Sequence, residues 1–168
     1  RLVPLGSYPV PTARWTAEGL PTLTAEGRIQ REAWQVPGTA TTLQLLAPLR
    51  DQLAGEGFET VFECETEGCG GFDFRFETEV IPEPSMHVDL GDFRFLSTRL
   101  AGGAADPEYV TVLVSRTSAT GYVQIVRVTA PQSAGDGQGI VDPGDVVVPA
   151  PPAAAPVASA EPGARTSP

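Results

Sequence analysis

Two stretches rich in valine, isoleucine, threonine and tyrosine constrain the fold of this chain more than any other feature. They are YVTVLVSR at residues 109 to 116 and YVQIVRVT at residues 122 to 129. β-Branched and aromatic residues favour strands, and the short segment between the two runs has the length of a hairpin connection. The sequence therefore predicts a C-terminal hairpin of adjacent antiparallel strands at about residues 109 to 129.

One segment, at about residues 42 to 56, has the periodicity of a helix. Its leucines recur at helical spacing, at Leu43, Leu46, Leu49 and Leu53. A threonine at position 41 or 42 can cap its start, and the glycine at position 55 or 57 its end. Pro48 lies beyond the first turn if the helix begins near Thr42, which predicts a kink, whereas a start near Leu45 accommodates the proline.

Four further segments are predicted as strands, chiefly because apolar and polar residues alternate in them. They are residues 25 to 36, 58 to 63, 72 to 77 and 93 to 97. A short helix is the alternative in the third segment, because Phe72 and Phe76 stand four positions apart. The chain therefore predicts an α+β fold, in which one main helix packs on a mostly antiparallel sheet.

The first 22 residues contain prolines at positions 4, 9, 11 and 21. Prolines at that density oppose a helix or a central strand. We predict an extended arm that wraps the domain, with Tyr8 and Trp15 as anchors, because aromatic side chains bury a large area.

The composition changes after Ala130, where a glycine-rich stretch is followed by a proline- and alanine-rich tail to Pro168. Such a segment buries too little apolar surface to fold alone and tends towards polyproline II. We predict a domain at residues 1 to 131 and a disordered or extended linker at residues 132 to 168.

The chain carries 21 acidic and 11 basic residues, a formal net charge of −10. A charge of that sign opposes binding to nucleic acid and to an anionic membrane surface. No stretch is long and apolar enough to predict a membrane-spanning helix. Because the chain starts at Arg1 and not at Met, we expect a processed or trimmed product.

The two cysteines, Cys64 and Cys69, flank a short loop followed by glycines. A structural disulfide in an oxidising compartment is the favoured interpretation. Free thiols remain the alternative. A redox pair is disfavoured because Glu63, Glu65 and Glu67 oppose a thiolate. A metal site would need further ligands, and His87 is the only histidine available.

Two groups of polar residues are candidates for chemistry. His87 is the one candidate general base, although a surface histidine is the simpler interpretation. The serines at 97, 115 and 118 lack a catalytic motif around them. Glu83, Asp89 and Asp92 are candidate calcium ligands, but their spacing differs from that of an EF-hand, so solvated acids are favoured. We therefore predict no enzyme activity, no cofactor and no metal.

Five phenylalanines are candidates either for the core or for a ligand pocket. They are Phe72, Phe74, Phe76, Phe93 and Phe95. A sheet with a single helix needs such rings to fill its interior, so a core role is favoured. A pocket for a lipid or a small hydrophobic molecule is the alternative.

Several runs resemble the N-terminal region of OmpA-family envelope proteins of alphaproteobacteria. The runs are TLQLLAPLRDQL from residue 42, GFETVFEC from residue 57, CGGFDFRF from residue 69, MHVDLGDFRF from residue 86 and GYVQIV from residue 121. In that family this region is an uncharacterised exported domain, which a Pro/Ala linker joins to a peptidoglycan-binding domain. The resemblance implies a periplasmic or outer-membrane location. The peptidoglycan-binding motif is absent, so any contact with peptidoglycan would belong to a downstream domain.

These observations lead to two hypotheses about function. The first is a non-catalytic interaction or structural module of the cell envelope, tethered by its linker. It would contact another envelope protein or serve as an accessory subunit of a larger envelope complex. The alternative is a binding domain for a lipid or a small hydrophobic ligand. Neither hypothesis assigns catalytic, cofactor-binding or metal-binding residues; Cys64 and Cys69 are assigned only a structural role.

Overall fold

The structure is a computed structural model and describes residues 4–101, 106–131 and 155–159. Its strands are β1 (Leu5–Pro11), β2 (Thr22–Pro37), β3 (Glu59–Glu65), β4 (Phe93–Leu100), β5 (Glu108–Arg116), β6 (Thr120–Thr129) and β7 (Ala155–Ser159). Its helices are α1 (Thr42–Gly55) and α2 (Gly71–Glu77), with a 3₁₀ turn at Thr66–Gly68. The main sheet has the order β1-β2-β6-β5-β4-β3, with β7 beside β2. All its neighbouring strands are antiparallel, which confirms the predicted α+β class.

The predicted helix corresponds to α1, which begins with a capping box. The side chain of Thr41 accepts a hydrogen bond from the Gln44 backbone N–H, and the Gln44 side chain accepts one from the Thr41 N–H. These bonds satisfy N–H groups that a helix start leaves without partners. Pro48 therefore lies inside the helix, beyond its first turn, and the alternative start near Leu45 is wrong.

The prediction of a single main helix is incomplete, because a second helix, α2, replaces the strand predicted at residues 72 to 77. Gly70, which precedes it, and Gly71, its first residue, have φ angles of +121° and +63°. These left-handed conformations favour glycine and turn the chain away from the direction of β3. The short helix that the spacing of Phe72 and Phe76 also indicated is the correct alternative.

The two faces of the sheet bury different residues. The face towards α1 includes Trp34, Leu96, Val112 and Ile125, which cluster with the buried leucines of the helix. The opposite face includes Phe93, Phe95 and Leu113, which pack against Phe74 of α2 and against Ile81 and Met86 of the following segment. Strands β5 and β6 are covered on both faces, which explains why their sequences are nearly continuous apolar runs.

The predicted N-terminal arm forms β1 at one edge of the sheet, and the sheet curls so that β1 reaches strands far from it in the strand order. The hydroxyl of Ser97 on β4 donates to the carbonyl oxygen of Pro11 at 2.8 Å. The hydroxyl of Tyr8 lies 3.3 Å from that of Thr111 on β5. Tyr8 is 1% exposed, so it anchors the arm, whereas Trp15 is only partly buried.

Gln124 fixes the segment that crosses this second face. Its side-chain nitrogen donates to the Glu79 carbonyl oxygen at 3.0 Å, and its side-chain oxygen accepts from the Ile81 N–H at 2.7 Å. The glutamine is 2% exposed, and pairing both of its polar ends avoids the penalty of burying an amide without partners. Arg31 of β2 adds a hydrogen bond to the Glu79 carboxylate at 3.2 Å.

The buried Tyr8 predicts a loss of stability at high pH. Burial raises the pKa of Tyr8 to about 12 from its ordinary value of 10.0. The unfolded chain therefore loses this proton at a lower pH than the folded chain. The contribution of Tyr8 to the free energy of unfolding is thus fully present below pH 10 and decreases above it. We expect the free energy of unfolding to fall by about 2 kcal/mol from this group between pH 10 and 12. Urea titrations across that range measure it, and Tyr8→Phe, which cannot ionise, should lack this component.

Most of the predicted linker lies outside the described residues, namely residues 132–154 and 160–168. Five of its residues, Ala155–Ser159, form β7, which pairs antiparallel with β2. This part of the tail therefore lies on the domain.

Candidate functional site

The structure joins Cys64 and Cys69 in a disulfide, with Cα atoms 5.0 Å apart. Cys64 lies near the end of β3, and Cys69 follows the 3₁₀ turn and is fully buried. Two of the neighbouring acids pair with arginines of other elements: Glu63 with Arg50 of α1, and Glu65 with Arg94 of β4 at 3.4 Å. The loop is thereby fixed to both the helix and the sheet.

The loop between β1 and β2 clamps this disulfide loop. The backbone N–H of Trp15 donates to the Cys69 carbonyl oxygen at 2.8 Å. The guanidinium of Arg14 donates to the carbonyl oxygens of Glu67 at 3.1 Å and Gly68 at 3.3 Å. These three bonds satisfy backbone carbonyls of a turn that no strand pairs, so they hold the turn in one conformation.

The same loop is tied to the end of α2 by Glu77. One carboxylate oxygen accepts from the Trp15 indole N–H at 3.0 Å, and the other accepts from the Leu20 backbone N–H at 3.2 Å. A Cβ atom added at Gly70 would lie 2.6 Å from the Trp15 Cβ, so the approach of the two loops requires glycine there. We call α2, the disulfide loop (residues 65–70) and the β1–β2 loop (residues 12–21) the aromatic corner.

The aromatic corner exposes two of its phenylalanines. Phe72 is 59% exposed and Phe76 is 72% exposed, and their rings stack with centroids 5.8 Å apart. Phe74, on the opposite side of the helix, is 1% exposed and packs edge-on against Phe95 at 5.2 Å. The buried ring anchors the helix, and the exposed pair is left facing solvent. Two adjacent exposed aromatic rings on a fixed helix are typical of an interaction surface.

The five phenylalanines considered in the sequence therefore separate into two groups. Phe74, Phe93 and Phe95 belong to the buried core, as the core interpretation predicts. Phe72 and Phe76 line neither the core nor a closed pocket, and the sequence interpretation missed them as a surface pair. The signal for them was present, because only a helix places residues 72 and 76 together and residue 74 opposite.

An open groove of about 370 Å³ lies between the two loops of the aromatic corner. Arg14, Trp15, Glu67 and Gly71 are among its lining residues, and Gly71 directly precedes Phe72. The groove has the size of a small-ligand site, and Trp15 gives it one aromatic wall, but none of the five phenylalanines is among its lining residues.

The aromatic corner is acidic. Its residues 12–21 and 65–77 include five acids and two arginines, a formal net charge of −3. One arginine, Arg14, is bonded to backbone carbonyls, and one of the acids, Glu65, is paired with Arg94 of β4. The exposed rings therefore lie in a field that attracts basic groups and repels acidic ones.

His87, the candidate general base, lies on the surface beside Glu83 and Tyr122. His87 lies 3.2 Å from the Glu83 carboxylate through Nδ1, and its ring lies 5.5 Å from that of Tyr122. This arrangement is typical of a surface pair, in which an exposed carboxylate and an imidazole share a hydrogen bond.

The candidate calcium ligands bind groups of the protein itself. Asp92 accepts a hydrogen bond from the Thr42 hydroxyl at 2.9 Å, and Asp89 accepts one from the Gly91 N–H at 2.8 Å. Glu83 pairs with His87. Within residues 4–101, 106–131 and 155–159, no group of three or more His, Cys, Asp or Glu side chains is placed to hold a metal ion.

No protein-family model matches this chain, and no curated protein matches it. Within the described ranges, neither α1 nor α2 has the length and apolar character of a membrane-spanning helix.

Proposed function

We propose that this chain is a non-catalytic interaction module of the bacterial cell envelope, which binds another envelope protein through Phe72 and Phe76. The observation that carries the proposal is the stacked, exposed pair of rings on a helix held by a disulfide loop. Exposed aromatic side chains at the centre of a contact surface commonly supply most of the binding energy of an interface.

The rigidity of the aromatic corner supports a preformed binding surface. The disulfide, the three hydrogen bonds from Arg14 and Trp15, and the two bonds to Glu77 fix the helix that carries the rings. A surface that is already ordered loses less conformational entropy when it binds than a flexible one. The rings can therefore contribute their full apolar area to a contact.

The charge of the corner selects the kind of partner. An anionic lipid surface would be repelled by its net charge of −3 and by the net charge of −10 of the whole chain. A protein with an apolar pocket rimmed by lysine or arginine complements both the rings and the surrounding acids. The partner in this proposal is such a protein.

The location and the role of the tail belong to the same proposal. The resemblance to OmpA-family envelope proteins and the disulfide together favour an oxidising, periplasmic or outer-membrane compartment. In this setting the Pro/Ala-rich tail tethers the module. Contact with peptidoglycan, if the full protein makes one, belongs to a domain that this chain does not include.

The proposal predicts that Phe72→Ser/Phe76→Ser abolishes partner binding and leaves the fold intact. The full chain, carrying a photo-crosslinker at position 73, would be exposed to intact envelopes and its adducts identified by mass spectrometry. We expect at least a tenfold loss of the adduct with the double variant, because two central anchors are removed. Circular dichroism and urea denaturation should match wild type, since both rings are mostly exposed.

A matched control is Leu43→Ser, which removes a side chain that is 43% exposed on α1, the helix on the other face of the sheet. The control should retain the adduct. Equal adduct yields in wild type and in Phe72→Ser/Phe76→Ser would refute the proposed surface.

A small hydrophobic ligand is the second candidate, and the groove beside Trp15 is the observation that favours it. Native mass spectrometry of the purified full chain distinguishes the two functions. An apolar adduct that Phe72→Ser/Phe76→Ser removes would favour ligand binding. An apo mass together with a crosslinked protein partner would favour the interaction module.

A further inference from the structure

We propose that the second half of β2 is a strand-addition site, which the tail strand β7 occupies in the resting protein and which an extended strand of a partner protein takes in its place. The partner strand is uncharged and rich in small side chains, as Ala155–Ser159 is. This inference goes beyond the proposed function, because it involves none of the residues of the aromatic corner.

The length of β2 creates the site. β2 spans Thr22–Pro37, but β1 pairs only with its first half, from Thr22 to Arg28. The same edge continues past the start of β1 to Pro37, and there β7 pairs with Glu32, Ala33, Trp34 and Gln35. A strand edge without a neighbour presents a row of backbone N–H and C=O groups that can bind another strand.

The strand now at this edge is a weak occupant. Pro156 lies opposite Trp34 and has no N–H to donate, and the register shifts between Ala33 and Trp34. A proline and a register shift each interrupt the ladder of hydrogen bonds. A regular strand of equal length would make more of these bonds and so could displace β7.

The covalent connection of β7 to the domain determines how strongly β7 competes with a partner strand for the edge of β2. The segment between β6 and β7 is rich in glycine, proline and alanine, and it joins the two strands in one chain. Such a covalent connection makes the pairing of β7 intramolecular, with an effective concentration in roughly the millimolar range. A short, imperfect strand is thereby kept at the edge without tight binding, so a partner strand of micromolar affinity can replace it.

The composition of β7 is the basis for an uncharged partner strand. The chain has a net charge of −10, so an acidic strand would be repelled. The occupant in the resting protein carries no charged residue between Ala155 and Ser159. Backbone pairing supplies the affinity in such contacts, and the small side chains only need to fit.

The placement of β7 is tested by a pair of cysteines in register. Ala33→Cys/Ala158→Cys joins residues that face each other across the two strands. The control, Gln35→Cys/Ser159→Cys, uses the same strands out of register. We expect the first pair to form an intramolecular disulfide at least tenfold faster than the control, at micromolar protein. Equal rates, or disulfides formed between two copies, would overturn the placement.

The strand-addition site is tested with a labelled peptide of residues 153–160, AAAPVASA, and the full chain. Val157→Pro/Ala158→Pro disables β7, and Ala150→Pro serves as a tail control outside that strand. We expect the peptide to bind the first variant about tenfold more tightly than wild type or the control, because the tethered competitor is lost. Equal binding to all three proteins, or binding to none, would overturn the inference. Neither result bears on Phe72 and Phe76.

Discussion

We expect Glu108→Ala to lower the free energy of unfolding by about 4 kcal/mol, because it removes the partner of a buried arginine. Arg127 is 3% exposed, and its Nη2 donates to Glu108 Oε1 at 2.7 Å. The guanidinium carbon also lies 5.5 Å from the ring centroid of Phe58. Without Glu108, this contact with the ring would be a weak substitute for an ion pair. Urea denaturation followed by tryptophan fluorescence measures the loss.

Removing the arginine itself should have a much smaller effect. Burial lowers the pKa of the Arg127 guanidinium, and the attraction of Glu108 offsets only part of that effect. Its Nε and Nη1 have no hydrogen-bond partner among the described residues. Arg127→Met keeps the side-chain length without the charge and leaves Glu108 unpaired. Because the Glu108 side chain is 17% exposed and retains contact with water, we expect a loss of about 1 kcal/mol only.

The double variant Glu108→Ala/Arg127→Met completes the test. It should be more stable than Glu108→Ala alone, because the stranded charge is then absent. The opposite order of stabilities would mean that the unpaired Arg127 side chain still stabilises the fold, through its packing and its contact with the Phe58 ring. The argument from desolvation would then be wrong.

The sequence predicts the two strands that carry Glu108 and Arg127, but not the ion pair between these residues. Residues 109 to 129 are rich in β-branched side chains, and β5 and β6 lie where that composition predicts strands. Arg127 is in phase with Val123 and Ile125, so alternation places a charge on an apolar face. Which acid reaches it depends on the register of the hairpin. Val110 lies opposite Arg127, so Glu108 lies diagonally across on the same face, and alternation alone does not give that register.

The strand predicted at residues 72 to 77 is wrong for a physical reason. Alternating phenylalanines and charges fit a strand, and that pattern alone predicts one apolar face. The disulfide fixes the position of Cys69, and the two left-handed glycines that follow it change the direction of the backbone. Tertiary context of this kind overrides a local pattern in a segment of seven residues.

The candidate site is predictable only in part for the same reason. The cysteine loop and the aromatic residues are visible in the sequence. The clamp by Arg14 and Trp15 is not, because it joins segments more than 50 residues apart, such as Arg14 and Glu67 with a separation of 53. The exposure of Phe72 and Phe76 follows from that clamp, since the helix is held with Phe74 inward.

The curl of the sheet likewise depends on contacts that no local pattern contains. The prolines of the arm predict an extended edge segment, and β1 is one. The contacts of Ser97 with Pro11 and of Tyr8 with Thr111 require β2 to carry β1 over the second face of the sheet. Gly27 of β2, where an added Cβ atom would meet the backbone of β6, is a position at which this arrangement can be tested.

We expect Gly27→Ala to lower the free energy of unfolding by at least about 3 kcal/mol, because the methyl group has no room. A Cβ atom at this position would lie 2.0 Å from the carbonyl oxygen of Thr129 and 2.9 Å from its carbonyl carbon. Both atoms belong to the backbone of β6, so a change of rotamer cannot relieve the clash. Relief requires β2 to move away from β6, which breaks ladder hydrogen bonds and shifts β1 with it.

Gly55→Ala is the matched control, since a Cβ atom there meets nothing within 4 Å. Alanine is favoured over glycine in a helix, so this variant should be as stable as wild type or more stable by up to about 1 kcal/mol. Urea denaturation gives both values, and amide hydrogen exchange in β1 shows whether the loss begins there. A stability of Gly27→Ala close to that of Gly55→Ala would mean that β2 can separate from β6 at little cost. The curl would then depend on the contacts of Tyr8 and Ser97 alone.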